Sequence, residues 1–150
     1  MNLLLQFSVP NKISEIAVTG SKSETNRLLL LQALYPNITL ENVSKSDDSE
    51  VMTKALSSKL QPTTHSVDIH HAGTAMRFLT AYFAVNEGRE VVLTGSQRMT
   101  ERPIKVLVEA LQQLGAQISY EKEEGFPPIR IKGQKITANK VSIPANVSSQ

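Results

Sequence analysis

The chain has 150 residues, 16 Lys+Arg against 14 Asp+Glu for a formal net charge of +2, 5% aromatic residues, no tryptophan and no cysteine. So small a charge without a Lys/Arg run, and so few stacking rings, excludes a nucleic-acid binder; the missing thiols exclude disulfides, thiolate metal sites and a cysteine nucleophile, which suits the cytosol. The length fits one domain burying roughly 68–70% of its unfolded surface, the opening Met1-Asn2-Leu3-Leu4-Leu5-Gln6-Phe7-Ser8 lacks the basic segment and apolar length of a signal peptide, and no apolar run reaches the ~18 residues of a membrane span.

In chain order, Leu3 to Phe7 and Glu15 to Val18 read as short strands around a turn at Pro10-Asn11. A helix from about Glu24 to Leu34 follows, and its run Arg27-Leu28-Leu29-Leu30-Leu31-Gln32-Ala33-Leu34 is apolar around most of its circumference, which predicts a buried helix. Ser21 and Glu24 have the spacing of a capping box. Free N–H groups and the helix dipole, joined by Lys22 and Arg27, make this start an anion cradle for phosphate or carboxylate; an ordinary capped helix with two solvated cations presents the same residues. Ile38 to Leu40 is a strand. Ser46-Asp47-Asp48-Ser49 caps a helix carrying Val51, Met52, Ala55, Leu56 and Leu60 on one face.

Ser66 to Ile69 is a strand, and Gly73-Thr74 opens a helix with Met76, Phe78, Leu79, Tyr82 and Phe83. Glu90 to Leu93 is a strand. Pro103 stands as a first helical residue, Ile104, Leu107, Val108, Leu111 and Leu114 follow at helical spacing, and Gly115 stops the helix. Ala116 to Tyr120 and Ile129 to Ile131 are strands separated by the turn-rich stretch ending in Pro127-Pro128.

The order helix, strand, polar loop, helix, strand occurs twice, with Arg27 matching Arg77, Leu40 matching Leu93 and Leu56 matching Leu111, a period of about 50 residues. A third copy begins at Ser148-Ser149-Gln150, an ending that reads as a cut. Three loop-to-helix junctions share one character: Ser21-Lys22-Ser23 with Arg27; Gly73-Thr74-Ala75-Met76-Arg77; and Arg98-Met99-Thr100-Glu101-Arg102-Pro103. Each sets small or hydroxyl residues and an arginine near a helix start, and together they predict one site for a polyanionic small molecule. Competing motifs fail. Gly20-Ser21-Lys22-Ser23 lacks the glycine pattern of a phosphate-binding G-x-x-x-x-G-K-[ST] loop. His70-His71, read as strand neighbours, point to opposite faces and make a poor metal site; His65 falls in a polar loop; and Asp47-Asp48 suit a helix start better than a cation.

These motifs, with Leu93-Thr94-Gly95, Pro127-Pro128 and Val147-Ser148-Ser149-Gln150 in the same order, resemble 5-enolpyruvylshikimate-3-phosphate synthase over the whole chain, as the amino-terminal part of a family chain nearly three times longer. The resemblance implies an α/β enolpyruvyl transferase fold, an inside-out α/β barrel of βαβαββ repeats around buried parallel helices, incomplete in this chain. Residues 1–19 would start the second domain, and 20–150 would form a partial first domain of two units and the start of a third. The implied reaction, on the shikimate pathway to chorismate and aromatic amino acids, moves the enolpyruvyl group of phosphoenolpyruvate onto the 5-hydroxyl of shikimate 3-phosphate and releases phosphate. No cofactor or metal is implied, and the family enzyme, a glyphosate target, is expected to be a cytoplasmic monomer with only these small-molecule partners.

By the same resemblance Lys22 touches both substrates and is the catalytic residue of the set. Ser23, Arg27, Ser148 and Ser149 hold shikimate 3-phosphate, Gly73 and Arg102 hold phosphoenolpyruvate, and Gln150 lies between the two. Asp48, Thr74 and Arg77 are supporting positions beside them. The substrates bring two phosphates, each about −1.5 to −2 at neutral pH, and two carboxylates to one cleft, so clustered cations and helix starts are what the load requires. The family's principal proton-transfer carboxylates match nothing here, so the chain alone is expected to be inactive. It departs from the family at His71, usually asparagine, and Phe78, usually proline, both beside the phosphoenolpyruvate residues and bearing on glyphosate sensitivity. Two other readings are a non-catalytic anion-binding fragment and the peptidoglycan-pathway transferase acting on UDP-N-acetylglucosamine.

Overall fold

Ser21 accepts the Glu24 amide on its hydroxyl at 3.4 Å and so starts helix α1, Lys22–Leu34. The computed structural model describes residues 3, 4, 6, 7, 9, 13, 15–57 and 65–143. Lys22 and Ser23 are thus inside the helix rather than before it. Ser46 starts helix α2, Asp47–Ser57, its hydroxyl accepting from the Ser49 amide at 3.4 Å while Asp47, Asp48 and Glu50 line a first turn that favours acids. Strand β1 is His65–Asp68, helix α3 Gly73–Ala84, strand β2 Glu90–Thr94, the one-turn helix α4 Gln97–Thr100, helix α5 Lys105–Gln113, strand β3 Gln117–Tyr120 and strand β4 Ile129–Lys132. The stretch from β1 to β4 has the order of one βαβαββ unit with α4 as an insert.

The four strands form one sheet in the order β1-β2-β4-β3, parallel between β1 and β2 and antiparallel elsewhere. Register puts Val91 beside Ile131, Leu93 beside Ile129, and Ile118 beside Ile131. Strand residues alternate faces, so these five line one face, and all are buried against α3 and α5 with Met76, Leu79, Phe83 and Val108. The opposite face carries the ion pairs of Arg130 with Glu90 and Glu121 at 2.6 and 2.7 Å. Gly115, at φ 105, ends α5 in the left-handed region as its position predicts.

Several expectations are corrected. Residues of 3–7 and 15–18 that are described lie in no strand and are exposed; among the described residues no sheet edge pairs with them, and strand backbone without a partner has no ladder to join. Ile38 to Leu40 is not a strand either. Its groups bond locally, the Ile38 amide to Tyr35 O at 3.0 Å and the Ile38 carbonyl to Gln32 Nε2 at 2.8 Å. The apolar α1 is not buried all round: it packs on α2 and α3 through Thr25, Asn26 and Leu29, while Leu31 and Leu34 stay 42% and 48% exposed. Pro103 lies before α5, whose N-cap is Ile104, because α4 and the Arg102 amide bond to Met99 O at 3.1 Å finish a separate turn first. His65 begins β1 instead of lying in a loop. His70 and His71 occupy the turn after β1, where His70 takes φ 49 and Asp68 Oδ1 accepts its amide at 2.7 Å.

Candidate functional site

The parallel strands β1 and β2 end side by side, and the turns leaving them open α3 and α4. In open α/β sheets ligands sit outside such carboxyl ends. Here the two turns are stapled together. The Ile69 amide donates to Thr94 O at 3.0 Å and the Ser96 amide to His70 O at 2.8 Å. Gly95 permits the approach, since a Cβ there would stand 2.5 Å from His70 O and 2.8 Å from Met99 Cγ. Met99 is buried and roots α4 in the core.

This staple sets Gly73, the first residue of α3, under Arg102: a Cβ on Gly73 would lie 2.7 Å from Arg102 Nη1. Arg77 curls back to donate from Nη1 to Gly73 O at 3.1 Å. Burial first, and then the Arg102 charge, hold the Arg77 guanidinium below its ordinary pKa. Thr74 is half-buried in the same first turn. Arg27 repeats the device on α1, donating from Nη1 to Ser23 O at 2.7 Å. The two back-bonds are equivalent in the repeat, Arg27 to Ser23 matching Arg77 to Gly73. Arg27 also lies over Phe78, its Cζ 5.7 Å from the ring centroid, which links the starts of α1 and α3.

Lys22 Nζ stands 3.8 Å from Asp48 Oδ1. Its neighbour Asp47 reaches His71 Nε2, also at 3.8 Å. Helices α1, α2 and α3 therefore begin at one end of the fold, and Lys22, Ser23, Arg27, Asp48, Gly73, Thr74, Arg77 and Arg102 are brought to that end by these links. Ser148, Ser149 and Gln150 lie outside the described residues. A cleft of about 640 Å³ runs between α2 and β1 past Glu50, Lys54 and Asp68. Its mixed charge fits an anion less well than the smaller one of about 510 Å³, walled by His71, Arg98, Met99 and Arg102. Among the described residues no group of three or more His, Asp or Glu side chains is placed to hold a metal ion, and no helix is long and apolar enough to cross a membrane.

Two features escaped the sequence reading. Asn26, wholly buried, accepts from Ser49 Oγ at 2.9 Å, and Ser49 Oγ lies 3.1 Å from Ser46 Oγ. Thr25 Oγ1 accepts the Ser44 amide at 3.0 Å. Together these bonds fix the first turn of α1 against the start of α2. The signal was a polar Thr-Asn pair directly before an apolar run, a place where side chains bury themselves only with partners. The second is a placement: Arg98, named in the sequence only within the third junction, lines the smaller cleft together with Arg102.

With the geometry established, the comparisons are specific. A family model described as EPSP synthase (3-phosphoshikimate 1-carboxyvinyltransferase) matches residues 57–150. A Bacteroides fragilis protein named 3-phosphoshikimate 1-carboxyvinyltransferase is 46% identical over 146 residues, covering 96% of this chain and 34% of that protein. A Vibrio cholerae protein of the same name is 42% identical over 159 residues, covering 91% and 37%. Among solved structures, an EPSP synthase from Acinetobacter baumannii superposes with a TM-score of 0.69 at 20% identity, over 89% of this chain and 35% of that one, and so shares its fold. The chain spans about a third of the length of the curated relatives it matches.

Proposed function

The chain belongs to the EPSP synthase family, and we propose that it forms the part of such an enzyme that gathers two anionic substrates at the shared starts of α1, α2 and α3. The reaction is transfer of the enolpyruvyl group of phosphoenolpyruvate to the 5-hydroxyl of shikimate 3-phosphate with release of phosphate. The observation that carries this reading is the cluster of cations around Gly73, where Arg102 packs over a residue without a side chain and Arg77 bonds beneath it. Phosphoenolpyruvate binds at Gly73 and Arg102, and guanidinium forks match its phosphate and carboxylate. Shikimate 3-phosphate binds along α1 at Ser23 and Arg27, with Ser148 and Ser149 on its phosphate. Lys22 stands between the substrates with Gln150, and Asp48, Thr74 and Arg77 hold these groups in place.

On this reading residues 1–19 belong to a second domain and 20–150 to the first, the enzyme works as a cytoplasmic monomer, and turnover needs carboxylates that this stretch does not supply. The peptidoglycan-pathway alternative is not favoured, since the relatives at 42–46% identity carry the shikimate-pathway name. Titration of the chain with shikimate 3-phosphate, followed by amide NMR shifts, tests the reading. Saturable shifts at Ser23 and Arg27 are expected; equal shifts with UDP-N-acetylglucosamine, or none with shikimate 3-phosphate, would sink it.

A further inference from the structure

We propose that Phe78 is a positioning residue for Arg27: its ring, rooted in the core, holds the Arg27 guanidinium in place for the anionic substrate that binds along α1. This rests on the function proposed above, which assigns Arg27 to shikimate 3-phosphate. Arg27 is exposed, and arginine is among the side chains with the most rotamer freedom to lose. Among the described residues it forms no ion pair. Its contacts are the bond from Nη1 to Ser23 O at 2.7 Å and the Phe78 ring, whose centroid lies 5.7 Å from Cζ. The first contact stays within α1, and the second crosses from α1 to α3. Phe78 is half-buried and packs against the hydrophobic core. The ring is therefore the fixed partner, and Arg27 is the side chain it restrains.

A ring is a suitable restraint for a residue that must still bind. It attracts the cation through its π face and accepts no conventional hydrogen bond. A guanidinium has several N–H donors, and Ser23 O takes only one of those on Arg27. The rest stay available to a phosphate or carboxylate. A carboxylate in place of the ring would also restrain Arg27, but it would occupy the fork and compete with the ligand for it. Ordering the side chain before the ligand arrives removes part of the cost of binding. The competing account is that the Arg27 stem simply covers apolar surface. A leucine at position 78 would be covered as well as a phenylalanine, so Phe78→Leu separates the two accounts.

The test is NMR titration with shikimate 3-phosphate of this chain and of its Phe78→Leu, Phe78→Tyr and Arg27→Gln variants, with the Phe78→Leu/Arg27→Gln double variant. Phe78→Leu is expected to weaken binding about two- to fivefold, the worth of an exposed cation–ring contact. Phe78→Tyr keeps the ring and should bind as the unaltered chain does. Because Phe78 acts through Arg27, adding Phe78→Leu to Arg27→Gln should change the affinity no further. In the unaltered chain the ring current should move the Arg27 Hδ signals upfield, a readout that needs no variant to fold. That displacement should vanish in Phe78→Leu and persist in Phe78→Tyr. The Phe78 assignment is overturned, and the function proposed above stands, on any of three results. These are Arg27 Hδ signals at the ordinary arginine position in the unaltered chain, full affinity in Phe78→Leu, or an equal loss from Phe78→Leu with and without Arg27. If the unaltered chain does not bind shikimate 3-phosphate, both fall.

Discussion

A methyl group on Gly73 would meet only the mobile end of Arg102, at 2.7 Å from Nη1. Gly73→Ala is therefore expected to fold with stability changed by about 0.5 kcal/mol at most, yet to displace the guanidinium and weaken phosphoenolpyruvate binding several-fold in the same calorimetry. Gly20 is the opposite case. Its Cβ would collide with the backbone carbonyl of Asn42, which has no rotamer to yield, so Gly20→Ala should lower the melting temperature clearly. Asn26→Ala would remove the acceptor of the Ser49 hydroxyl and leave it only Ser46 Oγ, a loss of about 0.5–1.5 kcal/mol in denaturant unfolding; a change near zero would mean that the bond does not hold α1. Residue types were legible in the sequence where the chemistry is local: the Ser21 cap, the Gly115 stop and the small Gly73 were all read from spacing. Asn26 was not, because its partner Ser49 lies in another element, α2.

At the scale of elements, α1 shows what pattern alone leaves open. An all-round apolar helix reads as buried, but which side is covered depends on the neighbours it meets. Leu29 is 7% exposed and Leu31 42%. Leu29→Ala should cost about 2–5 kcal/mol, and Leu31→Ala about 0.5 kcal/mol or less, both by chemical denaturation; equal costs would contradict the packing of α1 on α2 and α3. Helices α1, α2, α3 and α5 and the strands β1 to β4 were legible because each is a periodic run closed by turn residues, whereas the one turn of α4 is too short to show a period. The three strands read before residue 41 failed because a strand is a relation between two chain segments, and apolar alternation does not say whether a partner exists. A detail of geometry does recur: Gln32 Nε2 holds Ile38 O at the end of α1, and Gln112 Nε2 holds Ile118 O at 2.9 Å at the end of α5.

Among the described residues Lys105 pairs with Glu124, and Arg130 with Glu90 and Glu121, none of them residues of the candidate site. A hydrogen bond from Arg130 holds the Glu121 carboxyl below its usual range, and one from Lys105 does the same for Glu124. A depressed carboxylate pKa contributes stability that is present above the unfolded carboxylate range and is lost as pH falls through the lower folded value. The partners Lys105 and Arg130 are raised by the same pairs, so the contribution, present once the carboxylates are charged, is lost again only in strong alkali. Thermal melts of the chain and of Glu124→Gln should therefore differ at neutral pH and converge in acid. These pairs are exposed and the difference small; a gap that widened in acid would refute the assignment.

The staple between the turns after β1 and β2 has a consequence for binding thermodynamics. Because Ser96 donates to His70 O and Gly95 closes the gap, the segments bearing Gly73 and Arg102 cannot sample positions independently of one another. Loops that are already one rigid body lose little conformational entropy when a ligand bridges them. The free-energy gain of each new contact then reaches the affinity almost undiminished, and breaking the staple, by placing proline at Ser96, should weaken the anion through an unfavourable entropy of binding while each contact in the bound state survives.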